Sequence, residues 1–120
     1  MSEEQEQIAL FKWAKLQENV YPELRLLFHV PNGGKRSKVT AAHMKAAGAK
    51  AGVPDVCLPV PRGRLHGLYI EMKYGNNKPS PEQMQWLLDL TAMNYKTAVC
   101  YSMEEAKEEI LAYLYGVKHE

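Results

Sequence analysis

The stretch Gly52-Val53-Pro54-Asp55-Val56-Cys57-Leu58-Pro59-Val60, followed after a basic connection by Leu68-Tyr69-Ile70-Glu71-Met72-Lys73-Tyr74, decides how this chain folds. Each half is short, rich in Val, Ile, Leu and Tyr, and bounded by Gly and Pro, the composition of strands rather than helices. The connection Pro61–Gly67 is longer than a tight turn, yet short enough to join neighbours. The pair therefore reads as an antiparallel hairpin over Asp55–Val60 and Leu68–Tyr74. Strand side chains alternate, so Leu68, Ile70 and Met72 point one way, and Tyr69, Glu71 and Lys73 the other. Glu71 and Lys73 project together. Pairing with a strand that opens at Asp55 brings a second carboxylate to the same sheet edge.

Outward from the hairpin, the chain alternates between helical and extended patterns. Residues from about 3 to 20 read as an amphipathic helix with Ile8, Ala9, Trp13, Leu16 and Val20 near one stripe, ended by Tyr21-Pro22. Leu26–Val30 reads as a short strand, stopped by the turn signal Pro31-Asn32-Gly33-Gly34. A basic loop follows, then an Ala-rich helix over about 39–50 that Gly48 weakens and Gly52 stops. Beyond the hairpin, Ser80 caps a helix with Pro81 in its first turn and Gln83 placed for a capping box. That helix runs to about Asn94. Lys96–Tyr101 is a last strand, and Ser102 caps a helix to Tyr115. The order α-β-α-β-β-α-β-α predicts an α/β domain, a mixed β-sheet flanked by α-helices, spanning residues 1–120.

At 120 residues and 46% hydrophobic, the chain suits one domain with a modest core. No apolar run approaches the about 18 residues of a membrane span. The acidic start, Met1–Leu10, lacks the basic and apolar regions of a secretory signal, so a cytoplasmic setting is expected. Cys57 and Cys100 each sit among apolar neighbours and read as buried reduced thiols. The cysteines and four histidines are too scattered for a zinc site.

The net charge of +1 hides an asymmetry. Between Arg25 and Lys78 stand ten basic residues and only two acids, Asp55 and Glu71. A balance of +8 suits a polyanionic partner such as DNA, although scattered surface charge is more often mere solvation. The two exceptions matter more, because a surface made only to grip phosphate has no use for carboxylates.

Two adjacent carboxylates repel, and one tends to hold a proton unless a cation sits between them. Mg²⁺ or Mn²⁺ fits that role, taking oxygens from Asp55 and Glu71, with the carbonyl of Met72 as a further ligand, and retaining water for in-line attack on phosphorus. Lys73 would orient that water and stabilise charge on the phosphate oxygens. Taken singly, Glu-x-Lys and Pro-Asp are weak signals; together, at strand ends inside a basic segment, they make a candidate hydrolytic site.

The run GVPD and YIEMK, preceded by an acidic helix with Glu3 and Gln7 in a Glu-x-x-x-Gln pattern and by Pro31-Asn32-Gly33-Gly34-Lys35-Arg36, and followed by SPEQMQWL from Ser80, resembles the VRR-NUC branch of the PD-(D/E)xK nuclease superfamily. The resemblance extends from Glu3 to about Leu114. It implies a restriction-endonuclease-like core, and it places the catalytic Asp, Glu and Lys on Asp55, Glu71 and Lys73. Such families draw one more acidic metal ligand from the first helix. Here Glu3, four residues before Gln7 on one helical face, fits better, while Glu6 lies nearer the stripe of Trp13. Stand-alone members resemble homodimers that cut branched DNA such as Holliday junctions, in phage or bacterial cytoplasm. This chain, with no evident second domain, is similar to that group.

The remaining candidates carry weaker signals. Asn32, Lys35, Arg36 and Lys38 suit DNA contact, since the glycines beside them permit close backbone approach. Gln7 and Gln83 are supporting candidates, with Gln83 equally suited to local capping. Trp13 and Trp86 read as core residues, and His43 gives no firm signal. Two alternatives stand beside the nuclease reading: a non-catalytic nucleic-acid-binding module on the same fold, and an interaction protein whose basic face meets an acidic partner.

Overall fold

The structure is a computed structural model that describes residues 1–31 and 36–116. Asn32 and Lys35 lie outside the described residues. A four-stranded sheet forms the centre, with β1 (Phe28–His29), β2 (Val56–Leu58), β3 (Leu68–Met72) and β4 (Lys96–Cys100) lying side by side in chain order. β1 pairs with β2, and β2 with β3, antiparallel; β3 and β4 run parallel, joined by helix α3 (Pro81–Ala92). The mixed sheet and its flanking helices match the sequence expectation, with every strand shorter than expected: β1 and β2 are trimmed at both ends, β3 and β4 at their C-terminal ends.

Leu68, Ile70 and Met72 line one face of β3 and are essentially inaccessible to solvent. With Val56, Leu58 and Cys100 they meet α1 (Glu3–Leu16) and α4 (Met103–Tyr115), through Leu10, Ala14, Ala106, Ile110 and Leu114. The other face carries α3, where the hydroxyls of Thr91 and Thr97 lie 2.9 Å apart. Cys57 and Cys100 are buried free thiols.

Four expectations need correction. The α1 stripe is not Ile8, Leu16 and Val20, which stay exposed; Leu10 and Ala14 are the buried positions. The helix also stops at Leu16, and a short 3-10 helix, Pro22–Leu26, buries Leu24 and takes Leu26, the first residue of the expected strand. Pro22 supplies the fixed φ and missing N–H that open such a turn. The Ala-rich helix α2 runs only from Lys38 to Ala46 and buries no residue, since Gly48 at φ +107° closes it early. Finally, Trp86 is half-buried outside the core, whereas Trp13 packs against it as expected. No described helix is long and apolar enough to cross a membrane.

Candidate active site

Asp55 is the residue immediately before β2. Val56 faces Ile70 across the ladder, so continuing the register by one residue sets Asp55 opposite Glu71 on the same face. At that point the ladder changes character. The N–H of Met72 donates to the Asp55 carboxylate Oδ2 at 2.8 Å, a side chain standing in for a strand carbonyl. The Asp55 carbonyl is also engaged, accepting from the N–H of Val30 at 2.7 Å. Asp55 is thus fixed by its backbone on one side and its side chain on the other.

Glu71 lies within β3 and is 1% exposed, the one charged residue in the described core. Its Oε2 sits 3.4 Å from Lys73 Nζ, and its Oε1 is buried without a hydrogen-bond partner. A buried carboxylate half-satisfied in this way is costly as an anion. Burial first, and then the neighbouring Asp55, push its pKa up from 4.5 to about 8, with Lys73 opposing. Asp55 and Glu71 are close enough to share a hydrogen bond when one is protonated. Lys73 follows the strand, held by its N–H donating to the Cys100 carbonyl at 2.9 Å.

The first helix reaches the same place. Glu3, Gln7, Leu10 and Ala14 follow one another at helical spacing, so the stripe that buries Leu10 and Ala14 continues into Glu3 and Gln7. Burial pushes the Glu3 pKa upward, as does the charge of Asp55, while Lys73 pulls it down. Glu6 turns elsewhere: its Oε1 accepts from the N–H of Met103 at 2.8 Å, capping α4. Among the described residues, no three His, Cys, Asp or Glu side chains are gathered closely enough to hold a metal by themselves. What stands ready is the Asp55–Glu71 pair, with Glu3 within electrostatic reach. Its all-oxygen donors and the orphaned Oε1 fit a hard divalent cation, which keeps waters and needs only one or two carboxylates.

The supporting candidates divide. Gln7 Nε2 lies 3.0 Å from His29 Nδ1, which is also 3.0 Å from the Asp55 carbonyl oxygen. His29 is therefore a neighbour of the site that the sequence reading did not single out. The sequence carries no local signal for it, since its position depends on β1 docking beside β2. Gln83 is spent locally: its Oε1 accepts from the N–H of Ser80 at 2.8 Å and its own N–H donates back to Ser80, completing the capping box. Arg36 and Lys38 are exposed before and at the start of α2.

The comparisons bear on the family and the fold. The profile of the VRR-NUC domain matches residues 1–104. A solved structure described as a VRR_NUC domain protein superimposes with a TM-score of 0.82 at 28% identity, covering 100% of this chain and 93% of that one. No curated protein matches the chain. With that match spanning most of its length, on the fold that brings Asp55, Glu71 and Lys73 together, the chain belongs to the VRR-NUC family and is a nuclease-type, nucleic-acid-processing domain.

Proposed function

We propose that this domain is a divalent-metal-dependent DNA endonuclease, using Mg²⁺ or Mn²⁺, that hydrolyses phosphodiester bonds in branched DNA such as Holliday junctions. The observation that carries the reading is Glu71: buried, with one oxygen unpaired, facing Asp55 and tethered to Lys73. A purely structural core would place an apolar residue there, since a buried ionic group seldom adds net stability.

Asp55, Glu71 and the Met72 carbonyl are the groups that would hold the cation, with Glu3 completing the set from α1. When bound, it supplies Lewis-acid stabilisation of phosphate charge and a more acidic water. The protein's own parts are to position and neutralise. The Met72 N–H fixes the Asp55 carboxylate, so its orientation is set before any ligand arrives. Lys73 offset part of the like-charge repulsion, and its remaining N–H donors are available to a phosphate oxygen or an attacking water. His29 braces the Asp55 carbonyl from β1 in the tautomer whose Nδ1 carries the proton; in the other tautomer Nδ1 accepts from Gln7 Nε2 on α1 instead.

Junction preference rests on symmetry. Two copies related by a two-fold axis would present two sites to two strands of a symmetric branch, so the proposal includes a homodimer. A cleavage panel of linear duplex, flap and four-way junction, with Mg²⁺, Mn²⁺ or chelator, tests both parts. Metal-dependent cutting that favours the junction and disappears in Asp55→Asn is expected. DNA binding without cleavage in either metal would identify a non-catalytic module instead. Light scattering at micromolar concentration should report a dimer.

A further inference from the structure

α2 and the segment after it do little for the core, yet they build a shaped surface. Between α2 and α3 lies an open cleft of about 850 Å³, lined by Arg36, Lys45 and Lys50, with no acidic side chain among the described residues that line it, and with Met44 and Trp86 supplying apolar surface. The Trp86 indole N–H donates to the Ala51 carbonyl at 3.0 Å, which fixes the ring and leaves its carbon surface to the cleft. Gly52 locks the same segment in place. Its φ of +89° is left-handed, and a Cβ there would stand 2.9 Å from the Glu82 backbone.

The backbone links the cleft to the candidate active site at two points. One wall, Pro31, follows Val30, whose N–H is bonded to the Asp55 carbonyl. The other, Ala51, precedes Asp55 by four residues, a reach of at most about 14 Å. We propose that this cleft binds an unpaired nucleotide of the DNA substrate, its base stacked on Trp86 and its flanking phosphates held by Arg36, Lys45 and Lys50.

The choice of occupant follows from chemistry, and the DNA itself rests on the nuclease reading above. Three cations without an acid repel a second copy of the same face and attract phosphate. Trp86 has already committed its only donor, so it offers no base-edge recognition, only a π-face. Bases inside a duplex have their faces covered by neighbours; an unpaired base does not. The volume is that of a ligand-sized pocket rather than a groove for a duplex. Binding here would draw a frayed or branch-point strand away from the duplex next to the carboxylates.

The test uses Trp86 as its own reporter. In Trp13→Phe, the remaining tryptophan emission comes from Trp86. Titration in chelator with a short oligothymidylate should quench it, whereas an abasic oligonucleotide of equal length should bind without quenching. Trp86→Ala, checked for a native melting transition, should weaken oligothymidylate binding about 5- to 150-fold. Lys45→Ala and Lys50→Ala should each lower the salt slope of binding by about 0.7. Equal responses to the two oligonucleotides, or unchanged affinity in Trp86→Ala, overturn the proposal. So does emission that follows protein concentration and ignores DNA, which would assign the cleft to a second copy. Because no metal is present, quenching without cleavage activity in Mg²⁺ or Mn²⁺ would refute the nuclease reading alone. Cleavage without quenching would refute the cleft alone.

Discussion

Glu71 is the residue on which most depends. The folded, metal-free protein holds a proton there, between the ordinary carboxyl value of 4.5 and about 8, that the unfolded chain has released. The sign follows: the native state binds more protons, so metal-free stability falls as pH rises through that window. Glu71→Gln should flatten the dependence and raise the melting temperature at pH near 8, by a stability of roughly 1–4 kcal/mol. Differential scanning calorimetry of both proteins in chelator across pH checks it; a parallel decline in the two would show that Glu71 is not the proton held. Glu3 and Glu6 separate in the same spirit. Glu3→Gln should reduce the thermal stabilisation given by Mn²⁺. Glu6→Ala should leave the Mn²⁺ increment intact but cost about 1 kcal/mol of stability, from the lost cap on Met103. The sequence showed Asp55, Glu71 and Lys73 because strand alternation and charge contrast are local. It did not show His29, whose meeting with the Asp55 carbonyl depends on how a two-residue strand docks.

At the scale of elements, local chemistry was legible wherever it was self-contained. Ser80, Pro81 and Gln83 specify a helix start by side chain to backbone bonds within four residues, and the structure contains them. Ser80→Ala should therefore lower stability by about 0.5–2 kcal/mol, measured by urea unfolding, with no slowing of DNA cleavage beyond that of the folded fraction. The face of α1 was misread because hydrophobicity alone placed Ile8 and Leu16 inward. The packing partner, α4, instead selects Leu10 and Ala14, and small Ala14 allows the helices to approach. Gly52 belongs to this scale as well, since it fastens the segment leading to Asp55 against α3. Gly52→Ala combines a strained φ with a backbone clash. It should cost at least about 1 kcal/mol and slow cleavage together, a pairing that kinetics and melting curves on one preparation would reveal.

Across the whole molecule, the charge pattern and the topology point to one end of the sheet. The mixed sheet order could be expected from α and β alternation, but the placement of α1 against α4 could not, because it joins Glu6 and Met103 across nearly the full chain. That closure is what lets the first helix bring Glu3 within reach of Asp55 and Lys73. The ten basic residues between Arg25 and Lys78 do not act alike: Arg62 is spent on Glu23 and the Leu114 carbonyl, whereas Arg36, Lys45 and Lys50 line one open cleft. If Asp55, Glu71 and Lys73 form a phosphodiester-cleaving site, removing the Lys73 ammonium must slow the chemical step. Single-turnover cleavage of a labelled four-way junction in Mn²⁺, with wild type and Lys73→Ala both saturating the DNA, should show a rate loss of about 10²–10³ in the variant. Equal cleavage rates at saturation would exclude Lys73 from the chemistry and leave the three residues without a shared catalytic role.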